Sequence, residues 1–160
     1  MKLSPRLLAI ARLIPSGSRV ADVGTDHGHL PLWLLTRGIC PFAVATDVAS
    51  GPLETAKRNA CRAGLTSGLE FRLADGLDAV SPLEVDTVVM AGMGGETILG
   101  IIAGAVWLKS EPYRMILQPQ SKIPELIDFL SVEGYCILGQ HFVEDAGRRY
   151  IIFEVTAWDI

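Results

Sequence analysis

Two hydrophobic periods exchange with one another along this chain. Short runs of Val, Ala, Ile and Leu alternate with longer stretches whose apolar residues recur every three or four positions. Ser4 followed by Pro5 marks a helix start, a capping hydroxyl and then a ring already locked at helical φ. Leu7, Leu8, Ala11 and Ile14 line one face of that helix, which is expected to end near Pro15. Strands are predicted over residues 19–23, 42–46, 69–73, 85–91 and 114–117, and helices over 30–36, 51–63, 97–107 and 124–132. Two further strands, 135–143 and 149–157, close the chain around Ala146 and Gly147. Parallel neighbours need a crossover to bring the chain back, so this alternation predicts an α/β fold. Its sheet is seven-stranded and mostly parallel, covered by helices on both faces, and it ends in an antiparallel hairpin. With 160 residues there is room for one domain, 1–160, and no repeat, low-complexity tract or linker interrupts it.

Composition removes several function classes. Hydrophobic residues make up 49% and charged residues 20%, which fits neither a disordered nor a fibrous chain. Fourteen Lys and Arg stand against 18 Asp and Glu, a formal charge of −4, so a polybasic grip on nucleic acid is not expected and an RNA partner would be held by a local patch. Cys40, Cys61 and Cys136 are odd in number, far apart and in no metal-ligand spacing. They read as reduced core thiols of a cytoplasmic protein without a metal site. Basic and apolar residues are mixed in the first 15 positions and no apolar run reaches ~18 residues, so neither a secretion signal nor a membrane span is expected.

In a sheet of this kind ligands bind at the carboxyl ends of the strands, near the point where the strand order reverses. After the first strand comes Asp22, Val23, Gly24, Thr25, Asp26, His27, Gly28. Gly24 and Gly28 allow a tight turn and a close backbone approach to a ligand. A dinucleotide fingerprint would place glycines at 24, 26 and 29, but the chain has Asp26 and His29 there. A carboxylate at Asp26 would repel a pyrophosphate, whereas Asp22 can hold an ammonium group directly or through water. The loop therefore suits a cationic, phosphate-free cofactor better than a nicotinamide dinucleotide. Asp47, at the end of the second strand, can accept from two ribose hydroxyls, a feature shared by several cofactor classes. Asp75 with Gly76, after the third strand, can accept an adenine amine. Each of these aspartates also has a plain reading as a helix cap.

The fourth strand ends in Met90, Ala91, Gly92, Met93, Gly94, Gly95. Its glycines leave a backbone that a flat group can approach, Ala91 and Gly92 on the cofactor side, with Met93 as the bulky neighbour of the reacting centre. Methylases of exocyclic amines carry Asn or Asp, two prolines and an aromatic residue at this point. Their absence here points to a ring nitrogen, whose in-plane lone pair needs no such acceptor.

Four separated runs, DVGTDHGHLP at 22–31, AGMGG at 91–95, LQPQ at 117–120 and EDAGRRY at 144–150, resemble the bacterial tRNA adenine methyltransferases of the TrmK family. The resemblance spans nearly the whole chain. It implies a Rossmann-like class I methyltransferase fold, S-adenosylmethionine as cofactor, S-adenosylhomocysteine as product, and methylation of N1 of an adenine at position 22 of tRNA. It places Asp22, Gly24 and Gly28 around the methionine moiety, Asp47 at the ribose, and Asp75 with Gly76 at the cofactor's adenine. Asp26 is similar to the family's acidic residue at the target adenine, where it would accept a hydrogen bond from the amine, with His27 beside it.

This chain departs from the family at His29, where Tyr is usual, and at Gln120, where Asn is usual. It also ends at Ile160, before the helical coiled-coil extension that helps family members hold tRNA. The expectation is weak RNA binding through a local patch, or help from a second subunit in a homo-oligomer. Candidate RNA contacts are Arg6 and Arg12 on the first helix, Lys57, Arg58 and Arg62 on the third, and Arg148 with Arg149 at the hairpin tip. Trp33, Trp107 and Trp158 are candidates for base stacking, although Trp33 and Trp107 lie in apolar helices and read as core. A small-molecule or protein methyltransferase using the same cofactor is the alternative.

Overall fold

The strands with the most continuous apolar runs occupy the middle of the sheet, where both faces are covered. The computed structural model describes residues 1–157; Trp158 lies outside the described residues. In chain order the elements are α1 (Pro5–Ala11), β1 (Arg19–Val23), α2 (His29–Thr36), β2 (Phe42–Asp47), α3 (Ser50–Arg62), β3 (Leu69–Leu73) and β4 (Thr87–Met93). Then come α4 (Gly95–Gly104), a 3₁₀ turn (Val106–Lys109), β5 (Arg114–Pro119), α5 (Ile123–Val132), β6 (Cys136–Asp145) and β7 (Arg148–Thr156). They form a seven-stranded sheet in the order β3-β2-β1-β4-β5-β7-β6. The first five strands are parallel, and β7 pairs antiparallel with both β5 and β6.

The chain winds outward from β1 to β3 and then returns to add β4 on the other side of β1. The strand order therefore reverses between β1 and β4, where the register pairs Asp22 with Val89 and Val23 with Met90. At such a reversal the two adjacent loops diverge and open a crevice at the carboxyl ends of the strands.

Pleating divides the side chains between two cores. Val88, Met90, Met115, Leu117 and Phe153 face α4 and α5. Val20, Val89, Ile116 and Ile152 face α1 and α2. Helix α3 buries Leu53, Ala56 and Ala60, one stripe at helical spacing.

Several expectations change. The helix predicted over 97–107 begins at Gly95, stops at Gly104, and resumes as a 3₁₀ turn, because Ala105 leaves helical geometry at φ −114, ψ 70. All three cysteines are free, but only Cys40 is buried; Cys136 is partly buried and Cys61 is exposed. Cys61 follows Ala60 by one residue, about 100° around α3, which turns it out of the buried stripe. Trp33 and Trp107 are half-buried and pack against the core from its edge: Trp33 lies under Arg37, 4.6 Å from ring to guanidinium, and Trp107 packs edge-on against Tyr113 at 5.0 Å. No helix among the described residues is long and apolar enough to cross a membrane.

Candidate active site

The loop after β1 curls because three residues in five have positive φ: Gly24 at 68°, Asp26 at 59° and Gly28 at 73°. Asp26 is the only one with a side chain, and Asp tolerates this left-handed geometry better than most residues. Its N–H donates to Asp47 Oδ2 at 3.1 Å, and the other Asp47 oxygen accepts from the Ala49 N–H at 3.0 Å. Asp47 thus ties the β1 loop to the end of β2. Its carbonyl accepts from the Ala74 N–H at 2.9 Å, which draws in the segment leading to Asp75 and Gly76.

Gly24 and Gly28 serve different neighbours. A Cβ on Gly24 would stand 2.9 Å from Met93 Cε, at the open side of the loop. One on Gly28 would meet Ala56 Cβ at 2.7 Å, so this glycine lets α2 pack against α3 and does not face the cleft.

The end of β4 is bulged. Its register with β5 slips between Ala91 and Met93, leaving Gly92 at φ 72° without a ladder partner. The freed Gly92 N–H donates to Gln118 Oε1 at 3.0 Å, and the same oxygen accepts from Arg6 Nη1 at 2.8 Å. Gln118 is fully buried and its amide nitrogen donates to the Pro119 carbonyl at 3.2 Å. Of the three glycines that sequence places near the substrate, only Gly92 lines the cleft. Gly95 is packed under the β5–α5 loop, where a Cβ would lie 2.6 Å from the carbonyl oxygens of Ser121 and Lys122, and Gly94 faces Ser121.

These elements enclose a cavity of about 280 Å³ lined by Arg6, Asp22, Gly24, Asp26, His27, Ala91, Gly92 and Gln120, among others. Asp22 is 5% exposed, and its Oδ2 accepts from the Thr25 hydroxyl at 2.8 Å. Burial pushes its pKa up to about 7, against the opposing pull of the Thr25 hydrogen bond and the Arg6 charge. Asp26 and His27 stand at the mouth, largely exposed, with Asp26 Oδ1 3.7 Å from His27 Nε2. His27 and His29 meet edge to face at 5.9 Å.

Asp75 and Gly76 line a different cavity, about 600 Å³, beside α4 with Glu96, Ile101 and Trp107. The predicted site residues therefore divide. Asp22, Gly24, Asp26, His27, Ala91 and Gly92 share the cleft, and Met93 reaches over Gly24. Asp47 braces the loops, Asp75 and Gly76 sit in the neighbouring hollow, and Gly28 belongs to helix packing.

Sequence reasoning misplaces one residue and misses another. Arg6 is not an open surface side chain: its backbone N–H donates to Asp145 Oδ2 at 3.1 Å, and its guanidinium enters the cleft. Gln118, which holds it, carries one legible signal, a lone amide directly after the apolar run Met115, Ile116, Leu117. Among the other basic candidates, Lys57 approaches Glu54 at 3.5 Å, Arg58 donates to Thr55, and Arg148 and Arg149 remain beside the cleft.

A profile of the methyltransferase-domain family matches residues 3–153. The tRNA (adenine(22)-N(1))-methyltransferase of Bacillus subtilis (strain 168) is 33% identical over 159 residues, covering 99% of this chain and 67% of that protein. A Streptococcus pneumoniae structure in complex with S-adenosyl-L-methionine superposes with a TM-score of 0.93 at 35% identity, over 99% of this chain and 75% of that one. That of M. capricolum TrmK with S-adenosyl-homocysteine gives 0.86 at 28% identity, over 98% of this chain and 70% of that one. The family model over most of the chain and the 33% identity along nearly its whole length show that this chain belongs to the methyltransferase-domain family and, within it, to the tRNA (adenine-N1)-methyltransferases of the TrmK type.

Proposed function

We propose that this chain transfers a methyl group from S-adenosylmethionine to N1 of an adenine in tRNA, the adenine at position 22. The observation that carries this reading is the pairing of a buried carboxylate, Asp22, with a guanidinium, Arg6, in one cleft that opens past Asp26. The amino-acid end of the cofactor is a zwitterion, and the cleft offers one group of each sign. A buried carboxylate whose pKa stands near 7 gains most from an ammonium partner. The residues present thus fit the cofactor.

When bound, S-adenosylmethionine supplies a methyl group on a positively charged sulfur. Asp22 would take the ammonium and Arg6 the carboxylate. Asp47 would accept from the ribose hydroxyls, Asp75 with Gly76 would meet the adenine, and Ala91 and Gly92 would line the backbone side. Gly24 and Met93 bracket the passage toward the target. Asp26 would accept a hydrogen bond from the exocyclic amine of the target adenine and so turn N1 toward the methyl carbon, with His27 steadying its carboxylate.

With the cofactor bound, the N1 lone pair would form the new N–C bond as the S–C bond broke, the bonding pair staying on sulfur in the departing S-adenosylhomocysteine. The positive charge moves from sulfur to the methylated ring, so no base is needed to complete the transfer. Rate enhancement then comes from holding the two atoms in line, a term on the order of 10⁵ M or more in effective molarity for well-oriented reactants.

The experiment is nucleoside mass spectrometry of unmodified tRNA incubated with the protein and S-adenosylmethionine, against a heat-killed control. New N1-methyladenosine, mapped to position 22, is the expected result. Methylation of a small molecule or protein with tRNA untouched would transfer the reading to the alternative acceptor class.

A further inference from the structure

Beside the cleft, apart from the hollow of Asp75 and Gly76, lies another of about 600 Å³ that the methyl transfer does not use. Gln120, Ile123, Phe142, Arg148, Arg149 and Tyr150 line it, and Gln120 borders both spaces. Tyr150 joins them from the other side, its ring 6.0 Å from the Arg6 guanidinium. The hollow therefore adjoins, at Gln120, the cleft whose mouth carries Asp26.

Its chemistry is specific. Phe142 is 56% exposed on β6, an unusual place for a phenyl ring, and the Arg149 guanidinium lies 4.2 Å from its centroid. In the β6–β7 register Phe142 faces Ile151 and Glu144 faces Arg149, so ring and guanidinium share one face of the hairpin. Among the described residues neither Arg148 nor Arg149 is within ion-pair distance of a carboxylate. Asp145, opposite Arg148, is engaged by the Arg6 backbone instead. With Glu144 and Asp145 opposite them in the hairpin, the two guanidiniums are free of close ion pairs among the described residues and stand beside an exposed aromatic face.

We infer that this hollow is a nucleotide subsite of the RNA substrate, in which the base next to the target adenine stacks on Phe142 and its phosphate meets Arg148 and Arg149. The inference rests on reading the adjoining cleft as the methyl-transfer site. An aromatic face with cations at its rim suits single-stranded nucleic acid, whose bases stack in a sequence-tolerant way. Turning one adenine into the cleft unstacks its neighbour, and Phe142 replaces the lost stacking partner. The shared border at Gln120 places the subsite next along the strand.

The test uses an unmodified tRNA transcript carrying 2-aminopurine at the nucleotides on each side of the target adenine. Phe142→Ala is expected to weaken tRNA binding roughly tenfold at every salt concentration, leaving the salt slope unchanged, since stacking releases no counterions. Arg148→Ala with Arg149→Ala is expected to lower the slope of log K against log salt by about 0.7–0.9 for each phosphate no longer neutralised. One of the two 2-aminopurines changes fluorescence on binding to the unaltered protein and not to Phe142→Ala. S-adenosylhomocysteine affinity stays the same in all variants.

Unaltered tRNA affinity and fluorescence in Phe142→Ala would overturn the subsite. A concentration-dependent dimer that Phe142→Asp dissolves, with RNA affinity unchanged, would overturn it in favour of a second copy as occupant. Phe142-dependent quenching in an RNA that the protein does not methylate would support the subsite while telling against the adjoining methyl-transfer reading.

Discussion

The methyl carbon of Met93 lies where a side chain on Gly24 would have to go, 2.9 Å from the position of its Cβ. The two residues come from the ends of adjacent strands, and the β4 bulge at Gly92 brings Met93 back over the β1 loop. Gly24→Ala would therefore meet two separate penalties. At φ 68° an L side chain costs roughly 1–2 kcal/mol, and Met93 must also swing aside. The expected outcome is a modest fall in melting temperature with at least a tenfold loss of S-adenosylhomocysteine affinity by calorimetry. Adding Met93→Ala should recover part of the affinity and none of the backbone strain. Full affinity in Gly24→Ala alone would mean that the space between the two residues is not used by the cofactor.

Asp26 combines left-handed backbone geometry with an exposed carboxylate at the cleft mouth. Asn tolerates that geometry as well as Asp does, so Asp26→Asn separates charge from fold. It should leave S-adenosylhomocysteine binding within about twofold and lower the single-turnover rate of tRNA methylation by roughly 10- to 100-fold, the range for a lost hydrogen bond to a charged group. Asp26→Gly, which keeps the backbone without any acceptor, should be slower still. An unchanged rate in both variants removes Asp26 from the reaction.

Arg6 and Gln118 form a unit, since one buried amide oxygen binds both the guanidinium and the bulged Gly92 N–H. Arg6→Ala should weaken S-adenosylhomocysteine binding by roughly 10- to 150-fold, the range for a lost charge-assisted hydrogen bond. Binding of 5′-methylthioadenosine, which lacks the amino-acid end, should stay unchanged. Equal losses for both ligands would show that Arg6 acts through the shape of the loops. Gln118→Leu should reproduce the Arg6→Ala pattern and add a stability loss of about 1–3 kcal/mol, because it leaves the Gly92 amide unsatisfied.

Most of the architecture is legible in the sequence because each signal is local. Strands β1 and β3 have the predicted limits, and the helices stop at or near their glycines. What sequence does not supply is the order of the last two strands, with β7 inside and β6 at the edge, because both carry β-forming residues and either could pair with β5. Of the site residues named from sequence, Asp22, Gly24, Asp26, His27, Ala91 and Gly92 share one cleft, while Asp75 and Gly76 line another hollow. The role of Arg6 is not legible, because it depends on a contact between the first helix and the fifth strand, 112 residues apart. Gly28 and Gly95 suggest ligand approach only because a glycine needed for helix or loop packing looks identical in sequence to one that faces a ligand.

If Asp22 holds the cofactor's ammonium group as proposed, cofactor affinity should depend on pH with a definite sign. Its carboxyl has a pKa near 7 in the folded protein against 3.8 ordinarily, with burial the dominant cause. A raised value means that the folded state holds the proton more tightly than the unfolded chain. Its contribution to stability is therefore complete below about pH 4 and is lost as pH rises toward and through 7, at a rate on the order of 1.4 kcal/mol for each pH unit between the two values. Asp22→Asn should abolish that decline, visible as a flatter melting temperature between pH 4 and 8. Binding an ammonium group requires the ionised form, so S-adenosylhomocysteine affinity should rise roughly tenfold from pH 6 to pH 8, as a carboxyl titrating near 7 ionises. Calorimetry at pH 6 in two buffers of different ionisation enthalpy should register close to one proton released per cofactor bound. Asp22→Asn should bind more weakly at pH 8 and release none. A wild-type affinity that is flat across this range would place the ammonium group away from Asp22.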